Sequence, residues 1–335
     1  MATLSRLLLL LVLGAPTTSA LNGGGGVALV GPGVHLSLGR TAGEMVVTWS
    51  TPLTRAPASL RYSRCSPPAC NPRDHPPQPL SNRVAAHSTT LANNQAAANL
   101  SVLPWRNISV HTALIADIQA EEVIFYAVSG DPDTTRVLNF SYTVPYERPG
   151  PVTFAVFGDL AIKEQDGANY TLSRLKQHHQ SGDFDAVLHV GDIAYDLRQN
   201  AGRTGDEFLA DMEEVASSVP YMTVVGNHER DCVKAGGAEP LGDCGDPPYT
   251  NYRTRFAMPT PLTPPPASAD HAPMYWSADI GAAHIIALNT DTYLVPGMVA
   301  AQLTALREQL AWLRADLSAA TAPAQRAKVP WIVAM

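Results

Sequence analysis

Charge is scarce in this chain. Asp, Glu, Lys and Arg make up 16% of its 335 residues, and the balance is acidic, with a net charge of -7 at neutral pH. The shortage of basic residues argues against a general affinity for nucleic acid or anionic membranes. An anionic substrate would have to be attracted by something local, such as metal cations. Long apolar runs are missing too, and no segment is long and apolar enough to span a bilayer. No long internal repeat is evident. There are four cysteines, Cys65, Cys70, Cys232 and Cys244, and neither sequence-local pair has the CxxC spacing that would favour zinc. What is present is a chain that is 45% hydrophobic, enough for two domains with their own cores. Its 28 prolines and 24 glycines suit a β- and loop-rich protein better than a helical bundle.

The N-terminus reads MATLSRLLLLLVLGAPTTSA. Arg6 precedes an apolar run from Leu7 to Ala15, and small residues follow to Ala20. This pattern predicts a secretory signal peptide over 1–20. Four N-x-S/T sequons, at Asn99, Asn107, Asn139 and Asn169, agree with export and mark glycosylation candidates. In an oxidising compartment Cys65/Cys70 and Cys232/Cys244 could each close a small loop, although three connectivities are open.

Short alternating segments follow: VHLSL, EMVVTWS, SLRYS, HTALIADI and EEVIFYAVSG. They predict an antiparallel β-sandwich over 27–148, with Trp49 and Tyr126 as core aromatics. Pro145, Pro149 and Pro151 mark a stiff linker. From Val152 the pattern changes to βαβαβ. TFAVFGD, DAVLHVGD and YMTVVGNHE are the strands; NYTLSRLKQHHQ and GDEFLADMEEVASS are the helices. This grammar predicts an α/β domain over 152–335 with parallel strands and a site beyond their carboxyl ends. A hairpin over 275–291, an amphipathic helix with Leu303, Leu306, Leu310, Leu313 and Leu317 in one stripe, and a final strand in KVPWIVAM complete the reading.

Three of these strands end alike. VFGDLA delivers Asp159, HVGDIAYD delivers Asp192 and then Tyr195, and VVGNHE delivers Asn227 and His228. Glycine lets the backbone turn so that the next side chain projects over the strand end. Neighbouring strands lie about 4.8 Å apart, so the oxygens would converge. A single Asp after Gly can be an ordinary N-cap; three Gly-Asp or Gly-Asn endings in one βαβαβ unit are better explained as metal ligands. Carboxylates are hard ligands, one of which can bridge two ions. A neutral amide suits the less charged ion, and a tyrosinate favours Fe(III).

With GDLA, GDIAY and GNHE, and the sandwich segments ahead of them, the sequence resembles the purple acid phosphatases within the metallophosphoesterase superfamily. The resemblance implies a fibronectin type III-like β-sandwich followed by an α/β metallophosphoesterase domain. It implies that Asp159 and Tyr195 bind Fe(III), that Asp192 bridges, and that Asn227 binds a divalent ion (Fe, Zn or Mn). His228 would be a substrate-side histidine. The implied reaction is attack of metal-bound hydroxide on a phosphate monoester, by a secreted or lumenal acid phosphatase. Expected partners are a small phosphate monoester, with no nucleic acid and no membrane anchor; a homodimer is left open.

Two departures stand out. Ala161 replaces the second glycine of the family's GDxG pattern, and the family's VxxH-like and GHxH-like histidine segments are absent. The divalent position then keeps only Asp192 and Asn227, and the expectation is an incomplete catalytic domain that is itself weak or inactive. The alternatives are a non-catalytic secreted glycoprotein or interaction module with a vestigial metal site, or a phosphodiesterase or pyrophosphatase on the same scaffold. Among other histidines, His189 and His284 read as packed structural residues, His178 and His179 as a helix surface, and His271 as loop. Asp291 could face the site without being a ligand.

Overall fold

The computed structural model describes residues 8–11, 32–66, 79–93, 106–143, 151–162, 167–230, 249–260, 274–293 and 300–335. Cys70, Cys232, Cys244, Asn99, His271, Pro145, Pro149 and the leader's cleavage region lie outside them. Strand β1 (Leu8–Leu11) falls within the predicted leader. The next eight strands are β2 (His35–Leu38), β3 (Met45–Pro52), β4 (Ser59–Cys65), β5 (Asn82–Ala85), β6 (His87–Asn93), β7 (Arg106–Ile115), β8 (Val123–Val128) and β9 (Leu138–Ser141). They form two antiparallel sheets, ordered β2-β3-β7-β6 and β5-β4-β8-β9. Alternation places Leu36, Val47 and Trp49 of one sheet and Leu60, Tyr126 and Phe140 of the other in a single buried cluster. Trp49 and Tyr126 are fully buried, and each finds a carbonyl for its polar tip: Trp49 Nε1 donates to Ser129 O, and Tyr126 Oη donates to Ser217 O. Cys65 is disulfide-bonded.

The second half follows as β10 (Thr153–Phe157), α1 (Ala168–Ser181), β11 (Ala186–Val190), α2 (Gln199–Ala216), β12 (Tyr221–Val224), α3 (Thr250–Arg255), β13 (Trp276–Ile280), β14 (Ala283–Ala287), α4 (Ala300–Ala320), α5 (Pro323–Lys328) and β15 (Trp331–Ala334). β10, β11 and β12 are parallel neighbours in that order, and β1 pairs in parallel with the outer edge of β10. β13 and β14 form the expected hairpin, and β15 pairs in parallel with β14. Phe208, Met212 and Val215 line the buried face of α2, as their spacing predicts.

The leucine stripe of α4 behaves differently from the expectation. Leu303 and Leu310 are each 38% exposed, whereas Gln309 is buried. Gln309 accepts from Asn289 N and donates to Asn289 O, so it caps a loop of backbone that an apolar side chain could not satisfy. The two halves of the chain share the same buried cluster. Polar contacts add to it: Val34 N donates to Glu213 Oε2, and Ser37 Oγ donates to Ala257 O.

His284 on β14 is clasped between two carboxylates. Its Nδ1 lies 2.6 Å from Asp279 Oδ1 on β13, and its Nε2 lies 2.8 Å from Asp316 Oδ2 on α4. Burial would lower its pKa, yet the two aspartates outweigh burial and hold it at about 9, above the ordinary 6.5. The ring's contribution to stability is therefore whole below pH 6.5 and lost as pH rises through about 9. A shift of this size corresponds to ~3 kcal/mol, reduced to ~2 kcal/mol because screening weakens the solvent-exposed Asp279 contact. Chemical unfolding is expected to show stability falling by that amount between pH 6 and pH 10. His284→Gln should flatten the profile, and a wild-type profile that is already flat contradicts the clasp.

Candidate metal centre

The site is built where three parallel strands stop. The register pairs Phe157 with His189 and Val190 with Val224, so β10, β11 and β12 end at nearly the same level. Asp192 follows the middle strand, with Asp159 on one side and Asn227 on the other. The strand ends are pressed together through glycine. Gly191 has φ +72°, and a Cβ there would lie 2.8 Å from the Cα and N of Gly226; a Cβ on Gly226 would lie 2.3 Å from Asp192 Oδ1. Four non-glycine residues in this cluster also take left-handed backbone: Asp159, Ala161, Asp192 and Tyr195. Each costs about 1 kcal/mol or more, strain of a kind that concentrates at functional sites.

The structure brings Asp159, Asp192, Tyr195 and His228 together. Tyr195 Oη donates to Asp159 Oδ1. The Tyr195 ring lies 4.6 Å, centroid to centroid, from the ring of His228. Asp192 Oδ1 accepts the backbone N–H of His228 at 2.9 Å. Asn227 opens a short 3₁₀ turn, Asn227–Glu229, and is exposed. Burial, and then the Asp159 carboxylate, push the Tyr195 phenol well above its usual value. Burial also raises Asp192, and the charges of Asp159 and Asp196 add to this.

Two residues inside the quoted motifs carry roles that the sequence did not announce. Glu229 is fully buried. Its Oε2 accepts from Asp192 N at 2.9 Å and Gly226 N at 2.8 Å, and its Oε1 accepts from Ile193 N at 2.9 Å. One carboxyl thus staples the ends of β11 and β12. Asp196 Oδ1 lies 2.9 Å from His228 Nδ1. This hydrogen bond outweighs burial and holds His228 above its ordinary value. Beyond them, Arg230 faces Asp291 at 3.7 Å, and Tyr249 Oη donates to Asp291 at 2.6 Å. The signal available for Asp196 was its place in HVGDIAYD, one residue after Tyr195; for Glu229 it was an acid directly following Asn-His.

Among the described residues, the other histidines weighed in the sequence make their contacts away from this cluster. His189 is fully buried among Phe157, Phe208 and Tyr221, and burial lowers its pKa to about 3. His178 pairs with Asp183, and His179 with Ser218.

Residues 152–335 match the calcineurin-like phosphoesterase family. Acid phosphatase type 7 of Danio rerio is 30% identical over 306 residues, which cover 90% of this chain and 57% of that protein. The Mus musculus protein of the same name is 31% identical over 302 residues, with the same coverage. The chain belongs to the purple acid phosphatase family. Another relative, probable inactive purple acid phosphatase 27 of Arabidopsis thaliana, is 28% identical over 267 residues, covering 74% of this chain and 40% of that one. In fold the chain is similar to purple acid phosphatase PPD1 from yellow lupin seeds, with a TM-score of 0.60 and 22% identity over 90% of this chain and 50% of that one. The chain spans a little over half the length of the acid phosphatase type 7 relatives.

Against the purple acid phosphatase pattern, Ala161 is a strained substitution. It sits at φ +62° where the family has glycine, a conformation that costs a Cβ-bearing residue about 1 kcal/mol. The donor chemistry bears on what the cluster can hold. Among the described residues no group of three or more His, Cys, Asp and Glu side chains is placed to hold a metal ion. An ion here would have to draw on Tyr195 and Asn227 as well as the two aspartates. All four offer oxygen, and oxygen donors suit hard cations. Burial leads the upward shifts of Asp192 and Tyr195 and the neighbouring carboxylates add to them; a bound cation would act in the opposite direction. The residues therefore fit a hard, highly charged ion.

Proposed function

We propose that the protein is an acid phosphatase that hydrolyses phosphate monoesters at a binuclear centre, Asp159 and Tyr195 holding Fe(III), Asp192 bridging, and Asn227 holding a divalent Fe, Zn or Mn ion. The observation that carries this reading is the meeting of Asp159, Asp192 and Tyr195 over the ends of adjacent parallel strands. When bound, the ions supply Lewis acidity toward the phosphoryl group and activate the attacking water. The chain's own part is positional and protonic. Asp196 takes the Nδ1 side of His228, so Nε2 is the nitrogen left to face a substrate. Held above its ordinary pKa, His228 is protonated at acid pH and can give that proton to the leaving oxygen. Glu229 fixes the backbone of Asp192, and so the place of its carboxylate.

In the same reading 1–20 is a secretory signal, 27–148 a fibronectin type III-like sandwich, and 152–335 the catalytic domain. The sheet orders β2-β3-β7-β6 and β5-β4-β8-β9 support the sandwich, since they match the ABED and CFG arrangement with one added edge strand. Exposed sequon residues at Asn107 and Asn169 support export. No helix among the described residues is long and apolar enough to cross a membrane. A non-catalytic reading draws support from relatives named as probable inactive purple acid phosphatases.

Metal analysis and hydrolysis test the proposal together. The purified protein loaded with iron and zinc should cleave a phosphate monoester in preference to a diester. Asp192→Asn should weaken both ions by at least ~100-fold, because its oxygens serve both. Full retention of both metals in that variant would remove Asp192 from the bridging role, and a loaded wild type without hydrolysis favours the non-catalytic reading.

A further inference from the structure

The loop that carries Tyr195 and Asp196 enters α2 through a strained turn. Asn200, Ala201 and Gly202 are all left-handed, with φ of 54°, 56° and 79°. Two of the three bear a Cβ, and non-glycine residues seldom hold this conformation in succession. Such strain persists only where the surroundings over-determine it. Here the surroundings are Arg255, the last residue of α3. Its side chain is fully buried. Nη2 donates to Gly202 O at 2.9 Å, and Nη1 donates to Asp206 Oδ1 at 2.7 Å. The guanidinium also lies against Gly205, where a Cβ would come within 3.0 Å of Cζ and Nε. Gly205 N in turn donates to Leu197 O, and Gly202 N donates to Arg198 O.

One planar cation thus grips the turn from inside and the first regular turn of α2 from outside. Packing alone would be served as well or better by an apolar side chain, because burying a charge pair is costly. What arginine adds is a rigid fork whose arms reach a carbonyl and a carboxylate at once. The backbone carbonyl of Arg255 is held as well, by His35 Nε2 of β2 at 2.8 Å. We propose that Arg255 is a positioning residue: by locking the left-handed turn 200–202 it sets where the preceding segment places Tyr195 and Asp196 over the strand ends. The link from that placement to metal rests on the proposed binuclear centre.

Hydrogen exchange on the full chain separates this from a general structural role. In Arg255→Lys, which keeps the charge and loses the fork, exchange at the amides of Gly202 and Gly205 should rise about tenfold or more while β11 and β12 keep their protection. Titration with Fe(III) alone, followed through the iron–tyrosinate absorption, should show affinity about 10- to 100-fold weaker. Adding Asn200→Gly should recover part of both losses, since glycine takes positive φ without a steric penalty. A uniform rise across the chain, no rise at 202 and 205, or a local rise with unchanged Fe(III) affinity each overturns the proposal. Should Arg255→Lys fail to fold, Asp206→Asn must give the same local pattern in milder form, and its absence is equally decisive. A wild type that binds no Fe(III) refutes the metal reading, and the exchange result still decides whether Arg255 holds the loop.

Discussion

Glu229→Ala is expected to destabilise the protein by about 3–5 kcal/mol at pH 5, because three backbone N–H groups, one buried and two half-buried, lose their acceptor together. The donors are Asp192 N, Ile193 N and Gly226 N. No other acceptor in the motif can replace a carboxyl that reaches two strand ends. A loss of that size is a large share of the 5–15 kcal/mol typical of a folded domain. Its pH dependence has a definite sign. Burial, working against the three N–H donors, holds the Glu229 carboxyl at about 7 in the metal-free chain, above its ordinary 4.5. Stability from this group is then whole below pH 4.5 and lost as pH rises through about 7. The cost of the alanine substitution should therefore be greatest at acid pH and shrink toward pH 8. Urea unfolding of both proteins at pH 5 and pH 8 measures it; a cost under ~1 kcal/mol, or one that grows with pH, rules out the staple. Exchange at the Asp192 and Ile193 amides should rise in the variant even where the global fold survives.

The contrast between Asp192 and Glu229 shows what the sequence could and could not disclose. Asp192 was legible because its role is written in local pattern: apolar run, glycine, oxygen, repeated in three strands of one βαβαβ unit. Glu229 closes the neighbouring GNHE motif, yet two of its three partners are backbone amides that follow another strand, and such amides have no residue signature. Asp196 was hidden for a related reason, since its partner lies 32 positions away in the chain. The helix GDEFLADMEEVASS begins at Gly205 in the sequence reading, and the element runs from Gln199, but Asn200, Ala201 and Gly202 are left-handed, so its regular part starts only after Gly202 and the reading missed chiefly the turn that leads into it. β5, β6 and β9 went unseen because NRVA, HSTTLAN and LNFS offer too few alternating apolar residues to register as strands. On α4 the period was read correctly, but burial followed the polar needs of Asn289 rather than the leucines. Trp49 and Tyr126 were predictable cores, since a large aromatic on an alternating strand has little else to do.

Gly191→Ala should cost about 3–4 kcal/mol, the sum of a left-handed backbone penalty and an overlap between two strand ends. The first part is shared by any residue with a Cβ at φ +72°. The second is particular to this place: the added carbon would sit 2.8 Å from Gly226 Cα and N, and backbone cannot rotate aside as a side chain can. β11 and β12 would have to separate at their ends, which pulls Asp192 away from His228 N and strains the Glu229 staple. Gly182 supplies an internal control. It has the same φ of +72°, at the end of α1, but a Cβ there would meet nothing within 4 Å. Gly182→Ala should therefore cost only the backbone share, about 1 kcal/mol. The difference between the two variants, read from urea midpoints under one condition, isolates the cost of close approach. If they destabilise equally, the strand ends are not held in contact through Gly191, and the glycine before Asp192 serves only to turn the chain. If the difference is as large as expected, the glycines of GD and GN set the separation of the strand tips, and with it the spacing of the acidic side chains they carry.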